Sequence, residues 1–337
     1  MNYHAPWWLP GGHAQTIWPA LYARRTVGGP PRYRRERWPT PDGDFIDVDF
    51  GPTPPSGAPL LALFHGLEGS SRSHYAEAFA DWAHTQGLAF AVPHFRGCSG
   101  EINLAPRAYH SGDFAEIDWI LRRLLARQLA AGAGPVLAVG VSLGGNALLR
   151  WAGELGDAAS GVASAVAAVS APLDLAAGGH AIGRGFSRLV YTRLFLQTMK
   201  PKALAKLAQH PGLFDGDALR RARDLYTFDG IFTAPLHGFH STEDYWARAS
   251  AKPHLARIRV PALAVNARND PFVPAWSLPG PETVGPCVTL WQPDHGGHVG
   301  FAQGRPPAHV RTLPESVGGW LLRQGAPMHP VRPPVSS

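Results

Sequence analysis

Six short runs of continuous apolar residues constrain this chain more than any other feature. They are PLLALFHGL (59–67), LAFAVPHFRG (88–97), PVLAVGVSLGG (135–145), VASAVAAVSAP (162–172), VPALAVNARND (260–270) and CVTLWQPD (287–294). A strand with one wet face alternates apolar and polar side chains, whereas an unbroken run asks for cover on both faces. Between the runs lie helical patterns: SHYAEAFADWAHTQG, which Gly87 ends, FAEIDWILRRLLARQLAAG and NALLRWAGELG. Strand, helix, strand in succession predicts an α/β architecture, a mostly parallel sheet with helices on both faces. Upstream, YRRERWPTPDGDFIDVDFG (33–51) alternates on either side of Pro-Asp-Gly, which predicts an antiparallel hairpin at the start of the sheet.

The spacing breaks after the fourth run. Residues 175–250 hold helical patterns and no strand-like one, chiefly FSRLVYTRLFLQTMKPKALAKLAQ (186–209). They are expected to form a helical lid over the carboxyl edge of the sheet, entered through a flexible glycine-rich AAGGHAIGRG (176–185). In the lid Phe186, Leu189, Val190, Leu194 and Phe195 interleave with Arg188, Arg193, Lys200 and Lys202. Packing of that apolar face on the core is the expected arrangement, and contact with a membrane surface is the alternative. Residues 1–325 read as one domain, and proline-rich 326–337 as a disordered tail.

Composition excludes several classes. A hydrophobic fraction of 45% with 17% charged residues belongs to a globular protein. The net charge of +6 is spread along the chain except at PRYRRERW (31–38), which reads as a surface strand, so no nucleic-acid partner is expected. Two cysteines, Cys98 and Cys287, make no disulfide framework and suit a reducing compartment. With no window of 18 apolar residues and no signal-peptide pattern, the expected location is cytoplasmic. No phosphate-binding loop or dinucleotide fingerprint occurs, and the H-x-x-H pair of His295 and His298 has no third ligand at metal spacing, so neither a cofactor nor a metal is expected.

The chemistry is expected where the third run meets the helix after it. Gly140-Val141-Ser142-Leu143-Gly144 has the form G-x-S-x-G, the strand–turn–helix corner that exposes a nucleophilic serine. Glycines at 140 and 144 remove side chains that would collide with so tight a turn. The helix amino terminus points free N–H groups at Ser142 and favours negative charge there. Serine needs a base and an orienting acid, which follow it in the order acid, then histidine. His298 in HGGHVGF is preferred to His295 because two glycines give its loop reach, and Asp270 is preferred to Asp174, which reads as a helix cap. Oxyanion N–H donors are expected from Leu143 and from Leu67, with His65 and Gly66 shaping the latter's turn. Trp7, Trp8 and Trp18 are expected to anchor the amino terminus.

Through GGHAQT (11–16), HGLEGSSRSHY (65–75), FRGCSGEIN (95–103), YHSGD (109–113), GVSLGGN (140–146), TAPLHGF (233–239) and HGGHVGF (295–301), the chain resembles α/β-hydrolases over nearly its whole length. It is most similar to the YheT-like group, related to the ABHD1/ABHD3 esterases. The resemblance implies the α/β-hydrolase fold and a carboxylic ester hydrolase with Ser142, Asp270 and His298 as its triad. Medium-chain or lipid-like acyl esters are the expected small-molecule substrates. An acyltransferase with the same triad and a non-catalytic binding protein are the alternatives.

Overall fold

The structure, a computed structural model, describes residues 3–325, so the expectation for 326–337 lies outside the described residues. Its frame is one eight-stranded sheet of β1 (Arg34–Pro39), β2 (Phe45–Phe50), β3 (Leu60–Phe64), β4 (Ala89–Pro93), β5 (Val136–Val141), β6 (Ala165–Val169), β7 (Ala262–Val265) and β8 (Val288–Trp291). Their spatial order is β1-β2-β4-β3-β5-β6-β7-β8. The expected hairpin is β1 against β2; β2 then meets β4 antiparallel, and every later pairing is parallel.

Burial on both faces follows from which way alternate side chains point. In β3, Leu60, Ala62 and Phe64 face helices α3 (Phe114–Ala130) and α4 (Leu143–Leu155), with Ile117, Ile120, Leu148 and Trp151 on that side. Leu61 and Leu63 face the other way, toward Phe79 and Ala83 of α2 (His74–Thr85) and Leu321 of the helix Gly319–Gly325. β8 departs from the expected cover on both faces: Val288 and Leu290 are half-buried and Thr289 is exposed, because β8 is the edge strand with one neighbour.

The basic run 31–38 is not a free cationic strip. Arg35 sits opposite Asp49 and Arg37 opposite Asp47 across the hairpin. Each guanidinium forks onto its carboxylate, at 2.7 and 2.9 Å for Arg35 and at 2.8 and 2.9 Å for Arg37. Among the expected amino-terminal anchors, Trp8 and Trp18 pack edge-to-face and donate to the carbonyls of Gly304 and Pro307. Trp7 is exposed.

Between β6 and β7 the chain is helical, and two expectations about it need correcting. The glycine-rich entry is not a flexible loop: Leu175–Ile182 is helix α5, capped by Asp174 accepting from the amide of Ala177 at 3.1 Å. Its glycines serve close packing, since a Cβ on Gly179 would stand 2.5 Å from the Trp246 ring. Nor does the long lid helix turn its apolar residues to the core as a set. Leu196 and Ala203 of Arg193–Gln209 are buried, but Leu194 is 57% exposed, and Leu189 in the π turn Arg188–Thr192 is 73% exposed. Leu194 and Leu196 stand about 200° apart around the same helix, so the one faces solvent where the other faces the core, and Phe186 and Leu189 are exposed like Leu194. No helix among the described residues is long and apolar enough to cross a membrane.

Candidate active site

At the carboxyl end of β5, Ser142 has φ 53° and ψ −117°, a backbone region that costs an L-residue energy and persists where the surroundings enforce it. The glycines on either side explain the enforcement. A Cβ on Gly140 would strike the carbonyl of Gly144, and one on Gly144 would lie 2.6 Å from the carbonyl of His65. Helix α4 begins at the next residue, so the Leu143 amide has no intrahelical acceptor. From the neighbouring strand, the β3 turn brings Leu67 to the same cleft, and among the described residues its amide donates to no protein acceptor.

His298 and Asp270 meet Ser142 from two loops that are distant in sequence. His298 Nε2 lies 3.0 Å from Ser142 Oγ, and His298 Nδ1 lies 2.9 Å from Asp270 Oδ2. Asp270 Oδ1 accepts from the amides of Phe272 and Val273 at 2.8 and 3.3 Å, so its carboxylate is fixed by two amides of the same turn and by the imidazole. The Phe272 ring covers the imidazole at 4.1 Å between centroids. His295 is elsewhere: it is exposed and reaches only the side-chain amide of Asn269, at 3.4 Å. Asp174 caps α5 and takes no part.

The His298 loop is held by residues that the sequence reading did not single out. Helix α1 (Gly11–Leu21) supplies Thr16, whose Oγ1 accepts from the His298 amide at 2.9 Å, and Gln15, whose Oε1 accepts from the Gly296 amide at 2.9 Å. Val299, a β-branched residue at φ 58°, is clamped on both sides of its strained backbone. Its amide donates to Ser170 Oγ at 3.0 Å and its carbonyl accepts from His74 Nε2 at 3.2 Å. Asn146 ties α4 to the Ser111 loop and to the carbonyl of Ala249, at 2.9 and 2.8 Å. GGHAQT and GVSLGGN were visible as motifs, but a contact across 282 residues leaves no local signal. Thr16→Val and Ser170→Ala are expected to lower kcat by between about tenfold and a hundredfold with little change in KM, because they loosen the base and not the cleft. Steady-state kinetics of the two variants checks this, and a rise in KM alone would contradict it.

Burial also sets protonation states. His65 donates from Nδ1 to the Gly66 carbonyl at 2.8 Å and accepts at Nε2 from the Phe95 amide at 3.1 Å, which only the neutral ring can do. Burial pushes its pKa down to about 3, that of His110 to about 3 and that of His74 to about 4. In the unfolded chain each would titrate near about 6.5. Below that pH the unfolded chain binds protons that the folded one refuses, so stability falls as pH drops from about 6.5 toward these lowered values. Melting temperatures measured from about pH 7.5 down to about 4.5 are expected to decline, and His74→Gln, which keeps a donor for the Val299 carbonyl, to flatten the decline.

The cleft beside Ser142 is open to solvent on one side, spans about 740 Å³ with that open space included, and is lined largely by Leu175, Ile182, Phe195, Trp246 and Phe272. Its geometry can present a serine to an acyl carbon, take the serine proton, and offer two amides to the oxygen. Comparison with known proteins fits that chemistry. A family model described as alpha/beta hydrolase fold matches residues 59–304. YheT of Escherichia coli K12, which bears a provisional esterase designation, is 39% identical over 92% of this chain and 89% of its own. Human ABHD3, named a phospholipase, is 28% identical over 90% of this chain and 74% of its own. The esterase Pf2001 of Pyrococcus furiosus shares the fold at a TM-score of 0.55 and 16% identity, over 90% of this chain and 97% of its own.

Proposed function

Since the chain belongs to the α/β-hydrolase fold family, in its YheT-like group, we propose that it is a serine carboxylic ester hydrolase. The observation that carries this reading is the unbroken line Ser142 Oγ, His298, Asp270, with gaps of 3.0 and 2.9 Å. Ser142 Oγ attacks the ester carbonyl while its proton passes to His298 Nε2. Asp270 keeps the other proton on Nδ1 and stabilises the imidazolium that forms. The carbonyl oxygen, now anionic, is taken by the amides of Leu67 and Leu143 at the positive end of α4. Collapse breaks the bond to the alcohol oxygen, which leaves with the proton from His298, and the acyl group stays on Ser142 Oγ. Water then repeats the sequence: His298 takes its proton, the acid is released and Ser142 recovers its own.

The apolar wall of the cleft supports an acyl chain of moderate length. Burial contributes about 0.8 kcal/mol per CH₂, so each two carbons are expected to raise kcat/KM by about tenfold until the cleft is full. A panel of p-nitrophenyl esters of graded length tests this. A rise from acetate to a maximum at medium length is the expected profile. Acetate as the best substrate would mean that lid side chains fill the cleft themselves, and would overturn the medium-chain reading.

A further inference from the structure

The Ser142 cleft has a second chamber. It shares Leu67, Leu143, Met199, Asp229 and Tyr245 with the apolar one, and its remaining wall sets Glu68, Asn103, Lys202 and Lys206 among apolar side chains such as Phe228 and Phe232. Asp229 is the acidic side chain common to both. It opens the π turn Asp229–Thr233 of the lid, a wide helical turn of the kind that recurs at functional sites.

Its carboxylate is only half satisfied. Oδ1 accepts from Thr233 Oγ1 at 2.7 Å and Oδ2 from Trp246 Nε1 at 2.9 Å, which leaves each oxygen a lone pair. Among the described residues no lysine, arginine or histidine pairs with it, and burial raises its pKa to about 6. A carboxylate held this way beside a reacting centre asks for a donor from the ligand.

The second chamber indicates which donor. Its cations are already engaged: Lys202 by Glu68 at 2.8 Å, Lys206 by the Ala105 carbonyl and Gln209 at 2.9 Å each, and Arg96 by Asp42, Asp44 and Glu116. Lys206, whose partners are neutral, keeps a positive charge that repels an ammonium group, yet its three N–H donors are taken by the Asn103 and Ala105 carbonyls and Gln209. The charges of Lys202 and Arg96 are met by carboxylates, so none of the three is placed to take a phosphate. A neutral hydroxyl satisfies both conditions. We propose that Asp229 is a substrate-binding residue that accepts a hydrogen bond from a hydroxyl group on the ester, at the junction of the two chambers. The protein is then selective for hydroxylated esters, with the hydroxyl on the acyl or the alcohol portion.

This rests on the ester-hydrolase reading, and the experiment separates the two. Ethyl 6-hydroxyhexanoate against ethyl heptanoate places the hydroxyl on the acyl side; 3-hydroxypropyl hexanoate against butyl hexanoate places it on the alcohol side. A hydrogen bond to a charged acceptor corresponds to a preference of about ten- to a hundredfold in kcat/KM for the hydroxylated member of one pair. Asp229→Asn is expected to bring that ratio within about threefold of unity; the ratio is taken within each protein, so a general loss of activity cancels. Should that variant not fold, Asp229→Ser replaces it. Equal kcat/KM within both pairs in the wild type, or a preference that survives the substitution, overturns the assignment. If the wild type turns over no ester at all, the hydrolase reading fails instead. The same four esters are then compared by calorimetric binding, where equal affinities within both pairs, or a preference kept by the variant, overturn the role of Asp229.

Discussion

Ser142→Ala is expected to reduce ester turnover by about 10⁴-fold or more while leaving the fold intact. The size follows from how the three residues act: without Oγ there is no acyl acceptor, and His298 and Asp270 have nothing to activate. The fold should survive because the Ser142 side chain caps no amide of α4. The positive φ is imposed by the packing of Gly140 and Gly144 and is no worse for alanine than for serine. Steady-state kinetics with circular dichroism on the same sample checks both halves. A folded variant that keeps more than a hundredth of wild-type turnover would mean that Ser142 is not the acyl acceptor.

The second large effect separates two histidines three residues apart. His298→Ala is expected to remove activity to a similar degree, and His295→Ala to retain most of it. His298 alone of the two touches Ser142 and Asp270, whereas His295 is exposed and meets Asn269. Asp270→Asn should fall by about 10⁴-fold, since an amide in its place favours the wrong imidazole tautomer. Kinetics of the three variants side by side decides the matter, and a His295→Ala loss equal to that of His298→Ala would contradict the assignment.

What the sequence made readable is what local chemistry encodes. Burial on both faces leaves its mark on every residue of β3 to β7, so an apolar run announces the strand wherever it pairs. The Ser142 corner is confined to a few neighbouring residues, and Asp174 caps its helix through an amide three residues away. What was not readable depends on distance. Thr16, Ser170 and His74 reach the His298 loop across 282, 129 and 225 residues, and although Thr16 and His74 stand in recognisable motifs, no local pattern says what they touch. The glycines of 176–185 suggested mobility, yet Gly179 is there because the Trp246 ring leaves no space for a side chain. Likewise the lid's apolar residues show that it is amphipathic but not which side meets the core: Phe186, Leu189 and Leu194 are exposed and Leu196 is buried.

The central claim is a covalent one, that Ser142 carries the acyl group. Incubation with a fluorophosphonate followed by peptide mass mapping addresses it directly, because the reagent bonds only to a serine activated by its neighbours. The account predicts one adduct per chain, on the peptide containing Ser142, absent from Ser142→Ala and strongly reduced in His298→Ala. An adduct at a different serine, or labelling of Ser142→Ala equal to that of the wild type, would contradict it.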